Sequence, residues 1–256
     1  LTRTTFWELL REVFTEISPA PHMDTVNRLL ERIEPAQLET VLLETIKRLV
    51  RQKRLANLLV DKQYVVAIDG TQKLTRQWSW AAEALHRQHG ENVSYTAYAV
   101  EAILVSPQGV SIPLLTEFCE NTGDEAFVKQ DSELKACQRL LVRLRQNFPK
   151  LPLLIVADGL YPNGPMMALC RQLHLDFMIV LPQGCLPSVW EEVEGLRKLD
   201  KDQTRTYRWG DRKQHFWWVN QIEYDFREVP KSHRRLALHV AGCTEYWEEN
   251  GEKKER

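Results

Sequence analysis

The chain has 256 residues, 43% hydrophobic and 27% charged, enough for one sizeable core with an appendage and far from the compositions of disordered or fibrous chains. A formal net charge of −1 supplies no global basic field, so any nucleic-acid contact must come from local clusters of cations. No apolar stretch approaches the ~20 residues that span a bilayer, and the start lacks the pattern of a signal peptide.

The five cysteines are scattered and form no C-x-x-C pair, so neither a disulfide framework nor a zinc site is suggested. A reducing cytoplasm is the expected home, with no membrane partner. Leu1 stands where a Met would open a reading frame, and the sequence ends at Arg256 in a run of charges. The chain is read as a fragment.

Residues Thr2 to Ile17 and Asp24 to Leu59 show apolar positions recurring at three and four, as in Val26, Leu29, Leu30 and Ile33. Residues 1–60 are therefore expected to be an incomplete helical region, with Asp24 as an N-cap and Pro35 opening a second helix. Lys47, Arg48, Arg51, Lys53 and Arg54 form one basic run there, and Lys231, Arg234 and Arg235 form another further on. Taken alone, such runs are usually solvated surface.

The texture changes at Tyr64-Val65-Val66-Ala67-Ile68, a short β-rich apolar run expected to be a buried strand delivering Asp69-Gly70-Thr71 at its carboxyl end. After a polar stretch with Trp78, Trp80, His86 and His89, Tyr95 to Val105 and Val110 to Phe118 flank the turn Ser106-Pro107-Gln108-Gly109 as two antiparallel strands. Ser132 to Asn147 predicts an amphipathic helix: Leu134, Cys137, Leu141 and Leu144 mark one face, and Lys135, Arg139 and Arg143 a basic stripe on another. Leu151 to Ala157 predicts a second buried strand ending in Asp158-Gly159, followed by a helix from Pro165 to Leu173 and a strand from Asp176 to Leu181. Past Pro187, an acidic segment around Glu191 to Glu194 precedes Thr204 to Arg208, His215 to Tyr224 and Arg235 to Tyr246, read as strands of an antiparallel insert rich in aromatics. Residues 61–187 thus form the expected core and 188–256 a β-rich insert.

Strand with terminal Asp, antiparallel strands, helix, strand with terminal Asp, helix, strand is the order of a ribonuclease H-like α/β fold: a mixed sheet flanked by helices. Ligands of α/β sheets gather beyond the carboxyl ends of the strands, so acids placed there on parallel neighbours can converge. A single strand ending in Asp-Gly is a weak signal, because Asp often satisfies local amides at such a turn. Asp69 and Asp158, 89 residues apart with suitable elements between, are harder to dismiss. Paired carboxylates supply the hard oxygens that Mg²⁺ or Mn²⁺ needs in phosphodiester chemistry.

Three blocks make the pattern more specific: Val65-Val66-Ala67-Ile68-Asp69-Gly70-Thr71, Lys129-Gln130-Asp131-Ser132-Glu133, and Val156-Ala157-Asp158-Gly159-Leu160-Tyr161. Together they resemble the DDE transposases of bacterial insertion sequences, over about residues 20–250. The resemblance implies metal-dependent cleavage and transfer of DNA strands, with Asp69 and Asp158 as the first and second metal-binding acids and Mg²⁺ or Mn²⁺ as cofactor. It implies duplex DNA, both transposon ends and target, as partner, and a homodimer on that DNA.

The family's third acid, a glutamate on a helix after the insert, has no match. Tyr224-Asp225-Phe226-Arg227 begins like the signature that precedes it, but Lys231 stands where the acid should follow and Pro230 interrupts any helix. That acid is expected beyond Arg256, and the chain by itself is expected to be inactive. A non-catalytic DNA-binding remnant and a ribonuclease H-like nuclease that transfers no strand are the rival readings.

Asp131 and Glu133 either support the site or cap the helix that starts beside them. His86 and His89 suit a surface role better than a metal site. In the adjoining pair Trp217 and Trp218, one side chain could face the core and the other an unpaired base, with core packing favoured. Lys135, Arg139, Arg143, Arg234 and Arg235 are the expected phosphate contacts.

Overall fold

The computed structural model describes residues 22–90, 92–121, 131–229, 232–249 and 252–256. The helix expected over Thr2 to Ile17 and the residues Lys129, Gln130, Pro230 and Lys231 lie outside them. The chain divides into two compact units, residues 1–54 and 55–256.

The first unit contains α1 (Met23–Leu30) and α2 (Pro35–Arg51). Pro35 opens α2, where its missing N–H costs no hydrogen bond. The cap of α1 is His22, whose ring nitrogen accepts from the Asp24 amide at 3.3 Å, so Asp24 lies inside the first turn instead of capping it.

The second unit is α/β and holds two sheets. A short 3₁₀ turn, Ala56–Leu58, leads to β1 (Tyr64–Arg76), β2 (Leu85–His89), β3 (Asn92–Val105) and β4 (Ser111–Cys119). Then come α3 (Glu133–Asn147), β5 (Leu153–Ala157), α4 (Gly164–Gln172), β6 (Asp176–Ile179) and α5 (Pro187–Leu199). The chain ends in β7 (Thr204–Trp209), β8 (Arg212–Val229), β9 (Ser232–Glu249) and β10 (Glu252–Glu255).

The first sheet is mixed. β1 is central, antiparallel to β3 and parallel to β5, and β5 is parallel to β6. Along its outer side β3 pairs first with β2 and then with β4. A tight turn joins β3 to β4: the Gly109 amide donates to the Ser106 carbonyl at 3.0 Å, and Gly109 takes a φ of +80°, a left-handed conformation that suits glycine.

Register and alternation put Val66, Ile68, Val100, Ala102, Leu104, Ile155 and Ala157 on one face, all buried. α3 packs on β3 and β4 and contributes Ala136, Cys137, Leu140, Leu141 and Leu144, none of them exposed. Burial of each of its leucines contributes about 1.5–3 kcal/mol.

One expectation about this sheet is corrected here. β1 does not end at Thr71 but runs to Arg76, because β3 is long enough to keep supplying backbone partners as far as Tyr95. Its register slips between Gln72 and Leu74, where a bulge absorbs one residue. The stretch carrying His86 is a strand, so the helical spacing that a His86 and His89 metal pair would need is absent.

The second sheet has the order β10-β9-β8-β7, wholly antiparallel, and shares no strand with the first. It leans on α5 and α4 through β8. Met167, Val189, Val193, Val219, Ile222 and Leu238 form the buried cluster between them, with Trp217, Tyr224 and Val240 packed against it. Trp217 thus faces this core, with the Arg197 guanidinium 4.0 Å from the centre of its ring. Gly242 lies opposite Trp217 because a Cβ there would stand 2.3 Å from the indole. The segment Tyr224 to Arg227 belongs to strand β8, not to the approach to a helix. Among the described residues no helix is long and apolar enough to cross a membrane.

Candidate active site

Registered pairing of β1 with β5 ends at Ile68 opposite Ala157. The next residue on each strand is an acid, Asp69 and Asp158. They therefore stand side by side, one residue past the point where the two parallel strands end their registered pairing. Alternation carries both to the face opposite the Val66, Ile68 and Ala157 face. Both are exposed.

Each acid spends one oxygen locally. Asp69 Oδ1 accepts from the Gly70 amide at 2.9 Å, and Asp158 Oδ1 accepts from the Leu160 amide at 2.9 Å. The local role that an Asp-Gly corner usually plays is thus present at both positions. No bond engages either Oδ2 among the described residues, so each acid keeps an oxygen for a further partner.

Two charged neighbours on this face were not singled out from the sequence. Glu101 on β3 lies directly opposite Asp69, so its side chain emerges on the same face, at the distance of a cross-strand pair. Its Oε1 accepts from Lys73 Nζ at 2.8 Å, and Lys73 is the extra residue of the β1 bulge. The order across the sheet is Glu101, Asp69, Asp158, with a lysine on the first of them. Cross-strand register is the signal that would have found Glu101, and only a correct pairing of β1 with β3 reveals it.

On the opposite face a second carboxylate is fully engaged. Glu133, in the first turn of α3, accepts from Tyr98 Oη through Oε2 and from Tyr161 Oη through Oε1, each at 2.6 Å. Tyr98 comes from β3 and Tyr161 from the turn after β5; Tyr161 is fully buried. Both phenols are pushed well above their usual range, first by burial and then by the bond to Glu133. The nearby negative charges add to this, that of Asp69 on Tyr98 and that of Asp158 on Tyr161. Helix capping belongs to Ser132, whose hydroxyl accepts from the Lys135 amide. Glu133 is therefore a connector, not a cap.

Asp131 has a different task. It accepts from the Ser132 amide at 2.9 Å and from Arg139 Nη2 at 2.7 Å. Burial alone would raise its carboxyl, but the Arg139 bond, the Ser132 amide, the Arg139 charge and the Glu120 amide outweigh burial and hold it below its usual range. Arg139 also donates to Glu117 at 2.7 Å and to the Phe118 carbonyl at 3.0 Å, and Arg143 bonds Glu117 and the Thr116 carbonyl.

This geometry changes the meaning of the basic stripe. Arg139 and Arg143 strap α3 to the edge strand β4 and find their anions inside the fold, so the geometry gives no support to a phosphate role for them. Arg235 is paired with Glu223 and Asp225 on the neighbouring strand β8. Lys135 and Arg234 also have partners. None of the five lies in the row formed by Glu101, Asp69 and Asp158.

Two exposed carboxylates with unengaged oxygens, just past the last registered pair of β1 and β5, form a hard-donor pair suited to a divalent cation. No group of three or more His, Cys, Asp or Glu side chains poised to hold a metal occurs among the described residues. All five cysteines are free thiols, and burial pushes the Cys119 thiol up to about 11 and the Cys170 thiol up to about 12, values unsuited to a nucleophile. No protein-family model matches the chain, and no curated protein matches it.

Proposed function

We propose that this chain is the core of a DNA transposase of the DDE type, in which Asp69 and Asp158 hold a divalent metal against a phosphodiester of duplex DNA. The observation that carries the proposal is the adjacency of the two acids, one residue past the last registered pair of parallel β1 and β5. A strand order of β4-β3-β1-β5-β6, with β3 and β4 antiparallel and β5 and β6 parallel to β1, agrees with a ribonuclease H-like core and supports it. The family blocks around Asp69, Asp131 and Asp158 supply the transposase part of the reading.

The donor set fits Mg²⁺ or Mn²⁺: oxygen only, anionic, exposed and unclaimed on one side. When bound, the metal would supply charge neutralisation at the scissile phosphate and an activated water or 3′-hydroxyl. The chain's own contribution is to fix two carboxylates on a rigid sheet and to keep one oxygen of each tied to a backbone amide, so that the other points to the ligand. Lys73, held by Glu101 beside Asp69, suits a phosphate of the bound strand.

Metal binding by the chain itself is the direct test. Mn²⁺ titrated into the protein should give saturable binding that is lost in both Asp69→Asn and Asp158→Asn, each of which keeps its size and backbone cap. Saturable Mn²⁺ binding that survives both substitutions would overturn the site, and so would no saturable binding in the unmodified protein.

A further inference from the structure

We propose that Glu133 is the positioning residue of this site: from behind the sheet, it fixes the separation of the two aspartates by holding the strand segments that carry them. The inference rests on the metal-site reading of Asp69 and Asp158 given above.

Glu133 reaches both segments at once. Tyr98 is on β3, which pairs with β1 through Asp69 and beyond; Tyr161 lies three residues after Asp158. One carboxylate accepting from both phenols, at 2.6 Å each, makes a link between the β1/β3 pair and the turn after β5. The register of β1 with β5 stops at Ile68 and Ala157, so no registered β1–β5 pair beyond that point holds the two acids together. The link lies just past that stop, where the spacing would otherwise be free to vary.

Gly70 shows how closely the link is built against the site. A Cβ on this residue would stand 2.3 Å from Tyr98 Oη and 2.5 Å from Glu133 Oε1, closer than real contacts allow. The residue that follows Asp69 is thus in contact with the link, and a change in the link is transmitted to the Asp69 backbone. Gly159, next to Asp158, is similarly confined: a Cβ there would meet the Pro182 ring at 2.5 Å. Both aspartates precede a glycine whose missing side chain lets a neighbour close in.

Alternation sets Glu133 apart from the metal ligands themselves. It touches the Gly70 side of β1, whereas Asp69 faces the other way. Both of its oxygens are also already taken by phenols. Its influence on a metal would pass through geometry, as with the outer partners that orient ligands in known metal sites, whose loss typically costs about 10- to 100-fold in affinity.

The test measures Mn²⁺ affinity by calorimetry beside urea stability for Glu133→Ala, Glu133→Gln and the double variant Tyr98→Phe/Tyr161→Phe. Glu133→Ala and the double variant should each weaken Mn²⁺ binding by about 10- to 100-fold. Glu133→Gln, which keeps an acceptor for one phenol, should lose less. Equal losses in both Glu133 variants with full affinity in the double variant would mean that only the charge matters, and would overturn the proposal. Lowered stability with unchanged affinity would make the link merely structural, and would overturn it too. If Glu133→Ala does not fold, Tyr161→Phe, which removes a single oxygen, decides by the same affinity criterion. Absence of Mn²⁺ binding in the unmodified protein refutes the metal site itself and is distinguishable from every outcome in which that protein binds and a variant does not.

Discussion

Replacing Gly70 with alanine is the sharpest probe of the packing behind the site. Gly70 sits in β1 between Asp69 and Thr71, paired with Val100 in an extended strand that alanine can adopt. A glycine-to-alanine change at a compatible position normally stabilises by about 0.4–1 kcal/mol through the unfolded chain. Here the new methyl would meet Tyr98 Oη at 2.3 Å and the Glu133 carboxylate at 2.5 Å. Neither atom is a free chain end, because each is bonded to the other and Glu133 is also held by Tyr161. Overpacking of this kind costs about 1–3 kcal/mol, and loss of one hydrogen bond to a charged acceptor costs about 1.5–3 kcal/mol. The net expectation is a loss of about 1.5–5.6 kcal/mol, measured as a lower urea midpoint with an unchanged slope. Gly195→Ala is the control: it lies within α5 with nothing near its Cβ position, and should gain about 0.5–1 kcal/mol. If Gly70→Ala is as stable as the parent protein or more so, the close contact between Gly70, Tyr98 and Glu133 is wrong.

Other expectations follow from the strap and from the second sheet. Arg139→Ala leaves Asp131 without its arginine partner and Glu117 with Arg143 alone, and should cost about 1–3 kcal/mol at neutral pH by urea unfolding; no loss would mean that the strap is only a surface pair. The Asp131 carboxyl is held below its ordinary value of 3.8, so the stability it contributes is present above that value and lost as pH falls through the lower folded value. Below pH about 4 the parent protein should therefore lose stability more steeply than Arg139→Ala, and parallel acid-unfolding curves would contradict the pairing. Gly242→Ala would drive a methyl into the Trp217 indole, on which the Arg197 guanidinium also rests, costing about 1–3 kcal/mol and quenching or shifting tryptophan fluorescence.

Local signals carried the core elements well. Tyr64 to Ile68 and Leu153 to Ala157 are legible because each is a short run apolar along its length, and α3 is legible because Leu134, Cys137, Leu141 and Leu144 repeat at helical spacing. α5 was not read as a helix, because only Val189 and Val193 are fully buried on it and its middle reads as an acidic run. Two buried positions one turn apart make too narrow a stripe to stand out. The continuation of β1 to Arg76 was missed for the opposite reason: its residues are exposed and, Leu74 apart, polar, and what keeps them in a strand is β3, not their own pattern. Likewise β8 and β9 each extend several residues past their apolar stretches because each is the other's partner.

The same division governs the site. Asp69 and Asp158 could be picked out because each follows an apolar strand directly, which is a local fact. Their adjacency is not local; it depends on β1 and β5 being parallel and in register at Ile68 and Ala157. Tyr98 gave no signal and Tyr161 entered only as the end of a block, since each lies 28 or more residues from Glu133 and nothing in either neighbourhood names a carboxylate as its partner. Arg139 and Arg143 show what spacing alone leaves out. Their four-residue spacing marks one face of α3, but it does not show whether an anion of the fold reaches that face. Glu117 and Asp131 do reach it. In a chain of near-zero net charge each cation has on average an internal anion to answer to, so a basic stripe becomes an argument for nucleic-acid contact only after the opposite element has been searched for acids.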